Sequence, residues 1–375
     1  MNLDVYKNAG FTTPEMRALE DLLSLAQLHW ISLNPETGIY EITLDNQMMA
    51  TFRSCPSHFV EAYVKGIAPK GGGRAWPLDF GIVFHKLMES YYKDFRTGGF
   101  SARDWAINQA VDYWNSLDMD FHKEHKEYKS IGGVQGFCGL LMGYAMRFGP
   151  ENERLRVIGT EISFGKAKEV LLGSIQSQPY MPYHDDTPLT IFAENYLRLY
   201  LSGRIDVLVD DGKYICPLDH KTMGSFRNDP TMRFEMEEGP TGYIFAVSQI
   251  LPEFLKAIKA EDFMLQRSTN KIIMNYISKS IPKEGDRYKR ANIMKTTEQL
   301  EAYRKRMLCT GEDIFRALVR FANSGFVWRD TSKCTSWYMH DCQFLPIHRQ
   351  NSRANELAVI DSFYEKIPIW DTEEV

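Results

Sequence analysis

The spacing of apolar positions changes twice along this chain of 375 residues. Intervals of three and four predict a helix from Pro14 to His29. A glycine-rich turn at Pro69–Arg74 leads into FGIVFHKLMESYYKDF, where Phe84, Leu87, Met88, Tyr91 and Tyr92 repeat the helical spacing and predict a buried helix. Helical character continues over residues 102–148, interrupted by a polar stretch at 121–130. From about Val157 the alternation becomes that of strands: VIGTEISF, then LRLYLSGRIDVLVD and KYICPLDHKT. A helix over 242–260 and a strand, KIIMNYISK, follow. A last long helix is predicted from Thr296 to Ala322. Thr296 and Gln299 have capping-box spacing, and Leu300, Tyr303, Met307, Ile314, Leu318 and Phe321 fall on one face.

The order is therefore helices, strands, helices, without internal repeats, low-complexity tracts or an evident linker. One elaborated domain over 51–350 is expected, between an acidic arm at 1–50 and a tail at 351–375. Its helical part would be 76–150, its sheet 157–280, and its last helix with a cysteine-bearing region 296–350.

Composition narrows the possible roles. A hydrophobic content of 44% can fill a core, which excludes disorder as the main state. A net charge of -5 excludes a uniformly basic coat, so any nucleic-acid site must be local. The first fifty residues, with two basic side chains against seven acidic ones, do not supply it. The amino terminus lacks a basic-then-apolar signal region, and no run approaches the roughly 18 apolar residues of a membrane span; a cytoplasmic protein with no membrane partner is expected. Six cysteines are too few for a disulfide scaffold at this length and read as thiols or metal ligands.

The most informative stretch is GRIDVLVDDGKYICPLDHKT, residues 203–222. Asp211-Gly212 between two strand-like runs predicts a hairpin with a two-residue turn, in which Asp210 faces Lys213. Pairing then sets Asp206 across from Pro217 and Arg204 across from Asp219, and the period of two puts Asp206, Pro217, Asp219 and Lys221 on one face. Two carboxylates brought together need a proton or a cation, and hard oxygen donors suit Mg²⁺ or Mn²⁺. Lys221 is placed to orient an attacking water or to stabilise charge developing on a phosphate. A solvated strand face carrying a surface ion pair would read the same way in Asp-x-Lys alone. The second acid on the partner strand and the apolar flanks favour the site.

These residues resemble a family. The GRID and LDHKT strands, the helix FGIVFHKLME and the later phrase TGYIFAV are similar, in order, to the motifs of RecB-like nucleases of the PD-(D/E)XK superfamily, including phage-type members. The likeness covers roughly Cys55 to His348. It implies an α/β fold of the restriction-endonuclease-like kind, a mixed central sheet flanked by helices with helical N- and C-terminal additions. It implies Mg²⁺- or Mn²⁺-dependent DNA cleavage, with His85, Asp206, Asp219 and the backbone carbonyl of His220 as metal ligands and Lys221 serving the water. Glu161 matches an acidic position near such sites, although a solvent-facing edge glutamate would look identical. Glu89, one turn after His85, either orients the imidazole or lies on the surface. Tyr243 matches the tyrosine of the family's Gln-x-x-x-Tyr motif, but Gly239 stands in place of the glutamine, which puts substrate positioning in doubt.

Some of these nucleases hold an iron–sulfur cluster with one early and three late cysteines. Cys55, Cys334 and Cys342 fall in matching regions and His348 takes the fourth place, a set also compatible with zinc or with buried free thiols. From Arg267 to Arg306 there are eleven Lys or Arg and four Asp or Glu. Arg267, Lys271, Lys279, Lys283, Arg287, Lys289 and Arg290 are the candidates for a phosphate track, and Tyr276, Tyr288 and Tyr303 would stack on bases if exposed. The expected activity is a DNA exonuclease in recombination, repair or phage DNA metabolism, working with recombination or replication partners. The alternative is a catalytically impaired DNA-binding member of the same fold.

Overall fold

The computed structural model describes residues 6–7, 9–70, 76–98, 100–168, 170–176, 195–224, 226, 229–257, 267–280, 286–334 and 342–367. In chain order the principal elements are α1 (Thr13–Ala26), β1 (Ile31–Leu33), β2 (Tyr40–Leu44), α2 (Asn46–Ser54), β3 (Ile67–Pro69), α3 (Trp76–Gly98), α4 (Phe100–Ser116), α5 (Gly133–Asn152) and β4 (Arg156–Phe164). They continue as β5 (Leu171–Gln176), β6 (Asn195–Leu201), β7 (Gly203–Asp210), β8 (Ile215–Met223), α6 (Glu238–Ala257), β9 (Lys271–Ser278), β10 (Tyr288–Met294), α7 (Thr297–Ser324), α8 (Arg353–Phe363) and β11 (Tyr364–Lys366). The expected mixed α/β architecture is present. No helix among the described residues is long and apolar enough to cross a membrane.

The chain divides into two compact units. One comprises Met1–Gly72, Gly165–Gly203 and Glu301–Val375; the other comprises Gly73–Phe164 and Arg204–Leu300. The second holds a five-stranded sheet in the order β10-β9-β8-β7-β4. It is mixed: β8 and β9 run parallel, while β7 with β8 and β9 with β10 are antiparallel. One face is covered by α3 and α5, whose Phe80, Phe84, Leu87 and Leu140 form a core with Val207, Val209, Cys216 and Leu218. The other face buries Ile272, Met274 and Tyr276 against Ile244 of α6 and Phe234. Strand alternation thus sorts Cys216, Leu218 and His220 toward α3 and α5, and Asp219 and Lys221 toward α6.

The first unit holds a four-stranded sheet, β1-β2-β6-β5, in which β2 and β6 are parallel. Helix α7 packs on it through Phe315, whose ring lies 5.2 Å from that of Tyr40. The approach is close enough that a Cβ on Gly311 would stand 1.9 Å from Leu199 Cδ2, so only glycine fits. The capping box before α7 is formed: Thr296 N donates to Gln299 Oε1 at 2.9 Å and Gln299 N donates to Thr296 Oγ1 at 3.2 Å. The first helix ends at Ala26, short of His29, because Gln27 adopts the left-handed conformation at its C-cap.

Candidate active site

The hairpin forms where Asp211-Gly212 puts it, but with a longer loop. The observed pairs run from Asp210↔Ile215 to Val207↔Leu218, so four residues, Asp211–Tyr214, make the turn rather than two. The acidic side chains are the reason. Asp211 Oδ1 accepts from Lys213 N at 2.9 Å and Tyr214 N at 2.7 Å, and Asp210 Oδ1 accepts from Gly212 N at 2.8 Å. Gly212 takes φ +91. The predicted pairs of Asp206 with Pro217 and Arg204 with Asp219 are therefore incorrect. The shift is by an even number of residues, so every side chain keeps its face, and continuing the observed register aligns Asp206 with Asp219.

Pairing between β7 and β8 stops at Val207↔Leu218. Just beyond it, the Asp206 carboxylate accepts from the His220 backbone N–H at 3.0 Å. It also lies 3.1 Å from His85 Nδ1, on α3, and 3.6 Å from His220 Nδ1. Burial works against its charge, yet His85, His220 and Lys221 outweigh it and hold the carboxyl well below the usual range. In return, the His85 imidazole is raised: burial opposes the proton and Asp206 prevails.

Asp219 and Lys221 meet on the face of β8 turned toward α6. Lys221 Nζ donates to Asp219 Oδ1 at 3.0 Å and stands 2.9 Å from Oδ2, outside hydrogen-bonding geometry for that oxygen. The carboxylate is 3% exposed and the ammonium side chain 35%. Burial pushes Asp219 up to about 6, with Lys221 pulling it down and Asp206 pushing it further up. Burial disfavours the Lys221 charge too, but Asp219 and other neighbours hold the ammonium above the ordinary lysine range.

Glu161, on β4, takes φ +50, the left-handed region, in the middle of a strand. It pairs with Arg204 Nε at 3.0 Å, and burial followed by repulsion from Asp206 raises its carboxyl. Tyr243 projects from α6 into the cluster on the face that carries Lys221, 6.3 Å ring to ring from Phe164. Glu89 does not orient His85; it accepts from Lys86 at 3.0 Å and from Lys93.

Asp219 Oδ2 is a buried oxygen without a hydrogen bond. With Asp206 ionised nearby and His85 on Asp206, the donors available are of the kind that suit Mg²⁺ or Mn²⁺. The donor set fits such an ion. His85 and Lys221 lie against the two carboxylates, and among the described residues no three His, Cys, Asp or Glu side chains are gathered into a metal cage.

The same holds for the cysteines. Cys342 Sγ lies 3.7 Å from His58 Nδ1, a histidine the sequence had not singled out, and Cys334 Sγ lies 3.6 Å from Asp330 O. Cys55 is buried, and none of the three forms a disulfide among the described residues. His348 turns its Nε2 to Ser57 Oγ at 3.1 Å.

The described basic candidates each have intramolecular partners. Arg267 bonds Asp210 at 2.9 Å, Lys271 bonds Asp211 at 2.6 Å, Lys279 bonds Glu127 at 2.6 Å and Lys289 bonds Asp229 at 3.1 Å. Arg287 donates to the carbonyls of Ser278 and Lys279. Lys283 lies outside the described residues. Tyr276, Tyr288 and Tyr303 are buried, so the condition for base stacking is not met.

Arg290 belongs to a buried network that no sequence signal revealed. It donates to Asn275 Oδ1 at 2.7 Å, Asn152 Oδ1 at 2.8 Å and Tyr144 Oη at 3.3 Å. Tyr144 Oη is 3.2 Å from His220 Nε2 and 2.6 Å from Tyr92 Oη. Burial pushes the fully buried His220 down to about 4, so its ring is neutral. The network backs β8 at the residue between Asp219 and Lys221. Its members lie far apart in sequence, and only a pairing rule for side chains across five elements would have found them.

Residues 47–347 match the PD-(D/E)XK nuclease superfamily. No match is found among curated proteins. The match covers most of the chain, which therefore belongs to this superfamily.

Proposed function

We propose that this member of the PD-(D/E)XK nuclease superfamily is a divalent-metal-dependent deoxyribonuclease of the RecB-like branch, hydrolysing phosphodiester bonds from DNA ends. The observation that carries the reading is the Asp219–Lys221 pair beside Asp206 and His85. His85, Asp206, Asp219 and the carbonyl of His220 would hold Mg²⁺ or Mn²⁺. When bound, the ion supplies Lewis-acid chemistry, making water a better nucleophile and offsetting charge on the phosphate.

The chain's own groups have definite tasks. Lys221 keeps its proton, so it acts as a donor and not as a base. Its partial exposure lets it reach an attacking water or a phosphate oxygen while Asp219 fixes its position. Asp206 stays ionised through the His220 N–H and His85. Glu161 and Tyr243 flank these groups and would orient water and substrate. The sequence shows no zinc finger or obvious helix-turn-helix for reading base edges, which supports end-directed over sequence-specific cutting.

One rival is a DNA-binding member of the same fold without turnover, a reading supported by Gly239 standing where the resembling family carries glutamine. Incubating the purified chain with linear and circular DNA in Mg²⁺ or Mn²⁺ separates the two. The enzyme degrades linear DNA, and Asp219→Ala abolishes this; the rival retains DNA and leaves it intact.

A further inference from the structure

The first unit carries a groove of about 270 Å³ between α7 and the loop that follows it. Four positions of α7 at helical spacing, Asp313, Arg316, Ala317 and Arg320, make one wall, and Phe326 and Trp328 belong to the other. Trp30, Trp76 and Trp114 are each at most 2% exposed, whereas Trp328 is 57% and Phe326 61% exposed. The backbone that carries these rings is anchored. The Trp328 carbonyl accepts from Ser57 N at 3.1 Å, Phe326 N donates to Ser324 Oγ at 3.2 Å, and Arg329 donates to the His348 carbonyl at 2.9 Å. Anchored backbone with outward rings makes a preformed platform.

The charges beside the rings differ in availability. Arg316 is engaged by Glu312 at 2.7 Å and by Tyr196 at 3.3 Å. The Arg320 side chain, in contrast, makes no ion pair or hydrogen bond among the described residues and is exposed. Ala317, the smallest of the four, keeps that wall low enough for a flat ring to enter. Asp313 adds an acceptor that suits an exocyclic amine and repels phosphate, which leaves the Arg320 end for the phosphate.

We propose that this groove holds one unpaired nucleobase of a single strand, stacked on Trp328, with an adjoining phosphate on Arg320. Aromatic rings next to an uncommitted guanidinium complement a base and its phosphate, and the volume suits one nucleotide. A duplex keeps its bases stacked inside and has none to offer. The identity of the ligand rests on the nuclease reading; the groove's shape and charges do not.

The test uses the full chain in EDTA, so that nothing is cut, with fluorescein-labelled oligo(dT) and a blunt duplex followed by anisotropy. Trp328→Ala should weaken oligo(dT) binding about 5- to 100-fold, while Trp328→Tyr retains most of it. Arg320→Gln should lower the slope of log K against log salt by about 0.7, one phosphate contact on a single strand. Neither change should alter duplex binding, and circular dichroism of each variant checks folding. Arg320→Gln, at an exposed position, keeps the test decisive if Trp328→Ala does not fold. The proposal is overturned if oligo(dT) binding and its salt slope are unchanged, or if duplex binding falls equally. A parallel Mg²⁺ assay of the wild type on linear DNA separates the two claims. Cleavage with unaltered variant binding sinks only the groove, whereas a chain that neither binds nor cuts DNA sinks both.

Discussion

Lys221 Nζ donates to Asp219 Oδ1 across 3.0 Å, linking a 35% exposed cation to a 3% exposed carboxylate two residues away on one strand. The pair is asymmetric: one partner can turn toward a ligand and the other is locked in the sheet. Removing the ammonium leaves a buried carboxylate without its counter-charge, at a cost of about 3 kcal/mol. Lys221→Ala should therefore lose at least about 100-fold in DNA cleavage, the scale of one transition-state donor, and also unfold at lower urea. Asp219→Asn should lose the activity with a smaller stability penalty. Equal urea midpoints for Lys221→Ala and wild type would contradict this account.

Mn²⁺ should raise the thermal midpoint, because an ion bound only by the folded chain stabilises it by about 2.7 kcal/mol at a hundredfold excess over its dissociation constant. Asp206→Asn and Asp219→Asn should abolish the shift. EDTA should stop DNA cleavage, and added Mn²⁺ should restore it. Differential scanning fluorimetry with and without Mn²⁺ reads the first effect directly.

Burial pushes the His348 imidazole from 6.5 down to about 4, and its side chain is 3% exposed. Between those values the unfolded chain binds a proton that the folded one refuses. Stability from this group is thus complete above about pH 6.5, falls as the pH drops, and levels off below about 4, a loss on the order of 2–3 kcal/mol. His348→Gln should flatten the dependence. Urea unfolding at pH 7 and pH 4.5 makes the comparison, and an unchanged slope in the variant would refute it.

Arg290 reaches Asn275 through Nε and both Asn152 and Tyr144 through Nη2, and its guanidinium carbon lies 4.3 Å from the Phe148 ring centroid. A lysine supplies one point charge and no planar stack. Arg290→Lys should accordingly destabilise the fold nearly as much as Arg290→Ala, by about 2–3 kcal/mol in chemical denaturation. Recovery of wild-type stability by lysine would show that charge alone matters there.

Gly239 sits one turn before Tyr243 in α6, and a Cβ there meets nothing within 4 Å. The resembling family carries glutamine at this position. Gly239→Gln should fold at least as stably, gaining about 0.5 kcal/mol of helix propensity, and should lower the KM for DNA with little change in kcat. A raised KM would remove the motif argument for Tyr243.

Much of the site was legible because the features that reveal it are local. Asp206, Asp219 and Lys221 keep their faces in a strand of period two, so even the wrong turn length preserved them. Glycine, capping residues and helical spacing likewise act over a few positions, which is why the main helices and strands lie where the pattern puts them. Charge partners are another matter. Lys279 finds Glu127 and Arg290 finds Asn152 across more than a hundred residues of chain, so side chains that read as a phosphate track also tie distant segments together. The sequence determined which chemistry could be assembled, through short-range backbone rules. Only the tertiary structure decided which charges remain open to a ligand, because that depends on what long-range packing brings beside each one.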